Sequence, residues 1–210
     1  MRDVVVIGAG ITGLAAALEL EQAGIPYTLI EVKRANGGSA GSVVDKGFVM
    51  DSGAMFHQLA NPITFFDALN TLNIPDSVYT ASEEHIAFKE GTGALVDAYT
   101  KRINAPRMAK MAVSTLGEMD MPDGIRYCIC MENGMVLDAK SLIVATPARF
   151  AERMFQTLVP EISYLLDGYR YDSIARVSFG YAQSDATHIP DHPPADYPIT
   201  AIYQTDHASR

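Results

Sequence analysis

Residues 3–31, DVVVIGAGITGLAAALELEQAGIPYTLIE, run in unbroken order through a β-branched stretch, three glycines, an apolar helical stretch, a second strand-like stretch and an acid. Asp3 to Ile7 suits a strand buried on both faces, because its valines and isoleucine do not alternate with polar residues. Gly8, Gly10 and Gly13 follow directly as G-x-G-x-x-G. In such a turn the first glycine permits a tight bend, the second lets the backbone approach a pyrophosphate, and the third lets the next helix pack on the strand. The helix predicted from Ile11, with Leu14, Ala15, Ala17, Leu18 and Leu20 on its buried side, points its unpaired N–H groups and positive dipole end at that phosphate position. A second strand, Tyr27 to Ile30, ends in Glu31, eighteen positions past Gly13 and close to the spacing of about 20 expected of a ribose-binding acid. A carboxylate there accepts from a 2′-hydroxyl and repels a 2′-phosphate, which favours FAD or NAD over NADP. A lone glycine fingerprint is weak evidence, but strand, helix and acid in register make a dinucleotide site.

The chain continues E-V-K-R-A-N-G-G-S and then SVVDKGFVMDSGAMFH. With Gly37-Gly38 six positions past the acid and G-F-x-x-D-x-G at Gly47, Phe48, Asp51 and Gly53, it resembles the superfamily of FAD-dependent amine oxidases, protoporphyrinogen oxidases and phytoene desaturases. HIAFKEGTGALVDAYTKRI and SLIVATPARFAERMF extend the resemblance to about residue 155. It implies a Rossmann-like α/β fold with a parallel sheet, crossover helices and an inserted three-stranded antiparallel meander. It also implies FAD as cofactor, held by Gly8, Ala9, Gly10, Ile11, Thr12 and Gly13, by Glu31, Val32, Lys33 and Arg34, and by Gly37, Gly38 and Ser39. Val113, whose backbone falls where the superfamily contacts adenine, and Ala145 and Thr146 complete the set. Two positions depart from the pattern: Ala35 and Ser39 stand where the superfamily usually carries basic residues. Pyrophosphate binding then rests mainly on backbone N–H groups and the helix dipole, with Arg34, one position early, reading equally well as a solvated loop charge.

The implied activity is hydride transfer to flavin from an amine, porphyrinogen or polyene-like small molecule. No catalytic residue is named: His57 reads as a hydrogen-bonded core histidine, and Asp51 and Ser52 as turn and strand residues. Three alternatives stand beside it. GAMFHQLANPITFFDALNTL also resembles the flavin-dependent nucleotide-sugar mutases, although Ser39 replaces their asparagine and Ala145-Thr146-Pro147 fits the oxidases better. A non-catalytic FAD-binding fragment or subunit is a second, and an NAD dehydrogenase, which would carry no yellow colour, a third.

The formal charge of −9, with no basic cluster, offers nothing to a polyanion, so nucleic acid is not an expected partner. The apolar stretch Val4 to Leu20 holds three glycines and Glu19 and is too short to span a bilayer, so no transmembrane segment is expected. The first strand starts at residue 3, which leaves no room for a presequence, and the expected compartment is the cytoplasm. There Cys128 and Cys130 read as buried strand residues rather than a redox pair. Asp185, His188, Asp191, His192 and Asp196 form a proline-rich acidic loop and not a metal frame.

The expected division is an FAD-binding domain over 1–155, with a short insertion at about 57–85, and a partial substrate or cap region over 156–210. Helices are predicted over Asn61–Leu72, with Ile63, Phe66, Leu69 and Leu72 on one face, over Gly93–Ile103, and from Pro147 to about Phe155. Asp123-Gly124 and Asn133-Gly134 punctuate a meander over Met108–Ala139, which leads into a parallel strand at Leu142–Ala145. Ile174–Tyr181 and Ile199–Thr205 alternate like strands. The resemblance implies a reduced substrate region and leaves a last flavin-contacting segment expected to be absent from these residues. The isolated chain is therefore expected to hold flavin loosely and turn over poorly, with a homo-oligomer or a complementary segment supplying the rest.

Overall fold

The computed structural model describes residues 2–81 and 84–181 and, past these, positions 193, 196, 199, 201 and 202. Its centre is a six-stranded sheet. The first parallel strand, β1 (Arg2–Ile7), leads through the glycine turn into α1 (Ile11–Gln22) and back to β2 (Tyr27–Glu31), which pairs with β1 in the register Val4 to Tyr27 and Ile7 to Ile30. Successive β1 side chains serve two separate cores. Val4 and Val6 join Leu14, Leu18, Leu29, Leu95 and Tyr99 on the helical side, while Val5 and Ile7 join Ile30, Leu116, Ile129, Leu137 and Met154 on the other. A strand buried on both faces needs the uninterrupted β-branched run that the sequence shows.

After β2 come a hairpin, β3 (Ser42–Asp45) and β4 (Phe48–Asp51), then β5 (His57–Gln58), α2 (Pro62–Thr71), β6 (Val78–Thr80), β7 (His85–Phe88) and α3 (Gly93–Arg102). Besides α2 the insertion holds a small antiparallel sheet formed by β5, β7 and β6. Asn61 caps α2 by accepting from the Thr64 N–H at 3.2 Å. The buried face of α2 differs from expectation. Leu69 and Leu72 are buried with Phe65 packed beside them, whereas Ile63 is 76% and Phe66 41% exposed. One edge of a short helix suffices to cover this flank of the core.

The chain returns to the large sheet as β8 (Arg107–Ala109), β9 (Val113–Met121), β10 (Gly124–Met131) and β11 (Val136–Val144), giving the order β8-β2-β1-β11-β10-β9. The meander is present over β9–β11, but Met108 lies outside it, in β8, a parallel edge strand beside β2. The separate parallel strand expected at Leu142–Ala145 is the far half of β11 itself. This one strand pairs antiparallel with β10 over Val136–Ala139 and parallel with β1 over Ala139–Val144. The meander therefore extends the main sheet instead of standing off it.

Two helices follow, α4 (Ala148–Phe155), with Pro147 at its cap position, and α5 (Pro160–Asp167), which the sequence reading did not anticipate. Ile174–Tyr181 forms no strand and pairs with none among the described residues, so that expectation fails. The apolar alternation is there, but no edge among the described residues pairs with it. Most of Ile199–Thr205, and Asp185, His188, Asp191 and His192, lie outside the described residues. Among the described residues no helix is long and apolar enough to cross a membrane.

Candidate dinucleotide site

The sequence-predicted residues converge on the rim formed by the C-terminal ends of β1, β2 and β11. Gly8 donates to the Ile30 carbonyl at 2.8 Å, and Ala145 donates to the Ile7 carbonyl at 2.8 Å, tying the three strand ends together. The three fingerprint glycines then divide by role. A Cβ added at Gly8 would lie 2.4 Å from the Ala145 oxygen, and one at Gly13 would lie 1.8 Å from the Gly8 oxygen, so both are fixed by packing. One added at Gly10 would meet nothing within 4 Å. Gly10 also has an ordinary extended backbone, φ −70° and ψ 177°, and caps α1 with its carbonyl, which accepts from the Leu14 N–H at 2.9 Å. The space above it is open, and α1 begins beneath that space with the unpaired N–H groups of any helix start.

Glu31 is buried, 5% exposed, and both its oxygens are engaged by backbone. Oε2 accepts from the Ala9 N–H at 2.7 Å and Oε1 from the Lys33 N–H at 2.8 Å. A carboxylate has about four lone-pair directions, so two remain for an outside donor such as a sugar hydroxyl. The second role, pinning the glycine turn to the end of β2, was invisible in the sequence: spacing identifies a ribose acid but not that the same carboxylate holds Ala9. Next to it Met111 donates to the Glu31 carbonyl at 3.1 Å, which carries the chain past the end of β2 and into buried Val113.

The Gly37-Gly38 loop closes the far side. Gly37 donates to the Ala9 carbonyl at 2.7 Å, and a Cβ on Gly38 would approach the Gly10 Cα to 3.3 Å. Both glycines have left-handed backbone, φ 109° and 64°, which explains the pair. The ammonium of Lys33 donates to the Gly38 carbonyl at 3.0 Å. Val32 and Arg34 are exposed, and the Arg34 carbonyl accepts from the Arg107 guanidinium. Ser39 is exposed beside Gly53. Thr146 completes the rim, its methyl 3.1 Å from where a Gly8 Cβ would sit and its hydroxyl buried without a hydrogen-bond partner among the described residues. Open space over Gly10, an orphaned hydroxyl at Thr146 and a buried acid at Glu31 together fit a dinucleotide diphosphate and its ribose.

A polar cluster missed by sequence reading lies on the flank. Asp51 Oδ1 accepts from the Ser42 hydroxyl at 2.6 Å and from the Thr92 N–H at 2.7 Å, and the Gly93 N–H donates to Ser42 at 2.8 Å. The cluster seats the start of α3 on the β3–β4 hairpin. His57 Nε2 lies 3.0 Å from the Thr92 hydroxyl, with its ring edge-on to Phe88. Burial holds the His57 pKa below the ordinary imidazole value, and the Asp51 charge offsets this only in part. The aspartate in G-F-x-x-D-x-G was the available signal, but nothing in one sequence points to its partners. Cys128 and Cys130 are free thiols on β10, and burial pushes the Cys128 thiol up, aided by Cys130 and Asp138. A groove of about 620 Å³ beside Glu21, Tyr27 and Asn104 lies at the opposite, N-terminal ends of the strands. Ligands of open α/β sheets bind at the carboxyl ends, so this groove is not the site.

Residues 6–69 match the model of an NAD(P)-binding Rossmann-like domain. The chain is 44% identical over 72 residues to a lycopene-forming phytoene desaturase of Pseudescherichia vulneris, covering 34% of this chain and 14% of the relative. It is 41% identical over 61 residues to the chloroplastic and mitochondrial protoporphyrinogen oxidase 2 of Arabidopsis thaliana, covering 29% and 12%. The matched part is thus about an eighth of the length of these relatives. Among solved structures, a candidate protoporphyrinogen oxidase of Exiguobacterium superposes with a TM-score of 0.65 at 11% identity, covering 77% of this chain and 63% of that one, a likeness of fold.

Proposed function

We propose, for a chain that belongs through its nucleotide-binding region to the amine oxidase, protoporphyrinogen oxidase and phytoene desaturase superfamily, that it binds FAD and serves hydride transfer from a small organic donor. The observation that carries the reading is the pairing of open space over Gly10 with a buried, backbone-anchored Glu31. In this reading residues 1–155 are the FAD-binding domain and 156–210 part of a substrate or cap region. Glu31 accepts from the adenine ribose, and the backbone of Val113 borders the adenine. Gly8 to Gly13 and the start of α1 hold the diphosphate, with Gly37, Gly38 and Ser39 on its other side and Lys33 bracing that loop. Ala145 and Thr146 border the flavin half, where the Thr146 hydroxyl finds the acceptor it lacks. Bound flavin would supply the two-electron chemistry of hydride acceptance. The protein's contribution is to fix that ring and exclude water around a donor with the chemistry of an amine, a porphyrinogen or a polyene. Visible absorption of the purified protein after FAD addition and desalting is the test. Retained oxidised-flavin bands support the reading, and retention of NAD with no flavin contradicts it.

A further inference from the structure

Residues 169–181 leave α5 as a strap without helix or strand, exposed at every position, yet the strap is fixed at three points. Near its start the Tyr171 hydroxyl accepts from the Ala148 N–H at 2.7 Å, and the Arg149 guanidinium lies over the Tyr171 ring at 5.4 Å. Midway, Arg176 donates to the Gly53 carbonyl. Towards its end Gly180 runs so close to Phe48 that an added Cβ would sit 2.6 Å from the ring. These anchors border the dinucleotide site. Ala148 lies two residues past Thr146, and Gly53 is packed on Ser39, an added Cβ there lying 2.2 Å from the Ser39 oxygen. The strap therefore runs from the Ala148 end of the rim to its Gly53 and Ser39 side, where Arg176 is bonded.

A diphosphate brings negative charge, and this rim answers it mostly with backbone. Lys33 is turned onto the Gly38 carbonyl and Arg107 onto the Arg34 carbonyl, while the position after Gly38 is the neutral Ser39. Arg176 is the cation that reaches the backbone packed against Ser39. A guanidinium carries five N–H donors in a planar fork, so the bond to Gly53 orients it without exhausting it. Resting on the dinucleotide reading above, we propose that Arg176 is a diphosphate-binding residue, delivered from the strap to the Ser39 side of the site in place of a cation within the loop.

Calorimetric titration of the full chain with ADP and with adenosine separates this proposal from the reading beneath it. The wild type binds both, ADP more tightly. Arg176→Gln is expected to lose roughly tenfold or more in ADP affinity, the size of a charge-assisted hydrogen bond, with adenosine affinity unchanged. Arg170→Gln, in the same strap but bonded to the Asp167 carbonyl, should leave both affinities as they were. Equal ADP affinity in the wild type and Arg176→Gln, or an equal loss in Arg170→Gln, would overturn the role of Arg176 while leaving the dinucleotide site standing. Failure of the wild type to bind either probe would overturn both.

Discussion

The β1–α1–β2 unit and the strap 169–181 are both rich in apolar residues, and they use them in opposite ways. Val5 and Val6 in β1 are completely buried on opposite faces, and Leu14 of α1 is completely buried as well. In the strap Ile174 is 88% exposed and Val177 and Phe179 are each 71% exposed. The first unit satisfies its backbone by pairing with β2 and β11. The second is held from outside, by an N–H of α4, by a carbonyl at Gly53 and by a ring at Phe48. Hydrophobic pattern therefore specifies a strand only where an edge is available to pair with it. In the strap, where no described edge pairs with it, the apolar run stays at the surface.

The comparison breaks most visibly at Gly13. With no room beside the Gly8 carbonyl, Gly13→Val should separate α1 from β1 and destabilise the fold by about 3 kcal/mol or more. The urea midpoint reads this directly, and an unchanged midpoint would mean that the tight packing of the first unit is wrong.

Glu31→Ala comes next. It strands the buried Ala9 N–H and frees that of Lys33, so a loss of about 2 kcal/mol in stability should accompany weaker nucleotide binding. Spacing alone predicts only the second effect. A variant that loses affinity at full stability would show that the carboxylate does not brace the turn.

How much of this was legible follows from the range of the interactions. The fingerprint glycines, Glu31, the Asn61 cap and the two meander turns are set within a few residues or by one supersecondary unit, and one sequence displays them. The buried edge of α2, the parallel strand β8, the bond from the Thr92 N–H to Asp51 and the anchoring of Arg176 on Gly53 join positions from about twenty to over a hundred residues apart. No local period encodes them. β11 illustrates the boundary: its apolar far half and its hairpin turn were each readable, but its continuity depends on two different neighbours along one strand.

A smaller effect sharpens the flank of the site. Because burial lowers the His57 pKa in the fold, the unfolded chain takes up its proton first as pH falls. The histidine's contribution is thus complete above the ordinary imidazole range and is lost as pH falls through it towards the depressed folded value. His57→Gln should reduce the drop in stability between about pH 7.5 and about pH 5.5, measured as the shift in urea midpoint. An identical drop in both proteins would remove His57 from the account.

Smallest of all is the strap. Val177→Ser, at a position 71% exposed, should shift stability by no more than about 0.5 kcal/mol, against the several expected at Gly13. A large loss would place Val177 in a core that the described residues do not form.

The most direct measurement is an equilibrium titration of the wild type and Gly10→Val with FAD, alongside their urea midpoints. Nothing packs within 4 Å of a Cβ at Gly10, and its backbone suits any residue, so the variant should fold with near-normal stability. Its branched side chain would occupy the space assigned to the diphosphate. The account predicts saturable FAD binding by the wild type and at least a hundredfold loss in a fully folded Gly10→Val, on the order of 3 kcal/mol. Equal FAD affinity in the two folded proteins would contradict it.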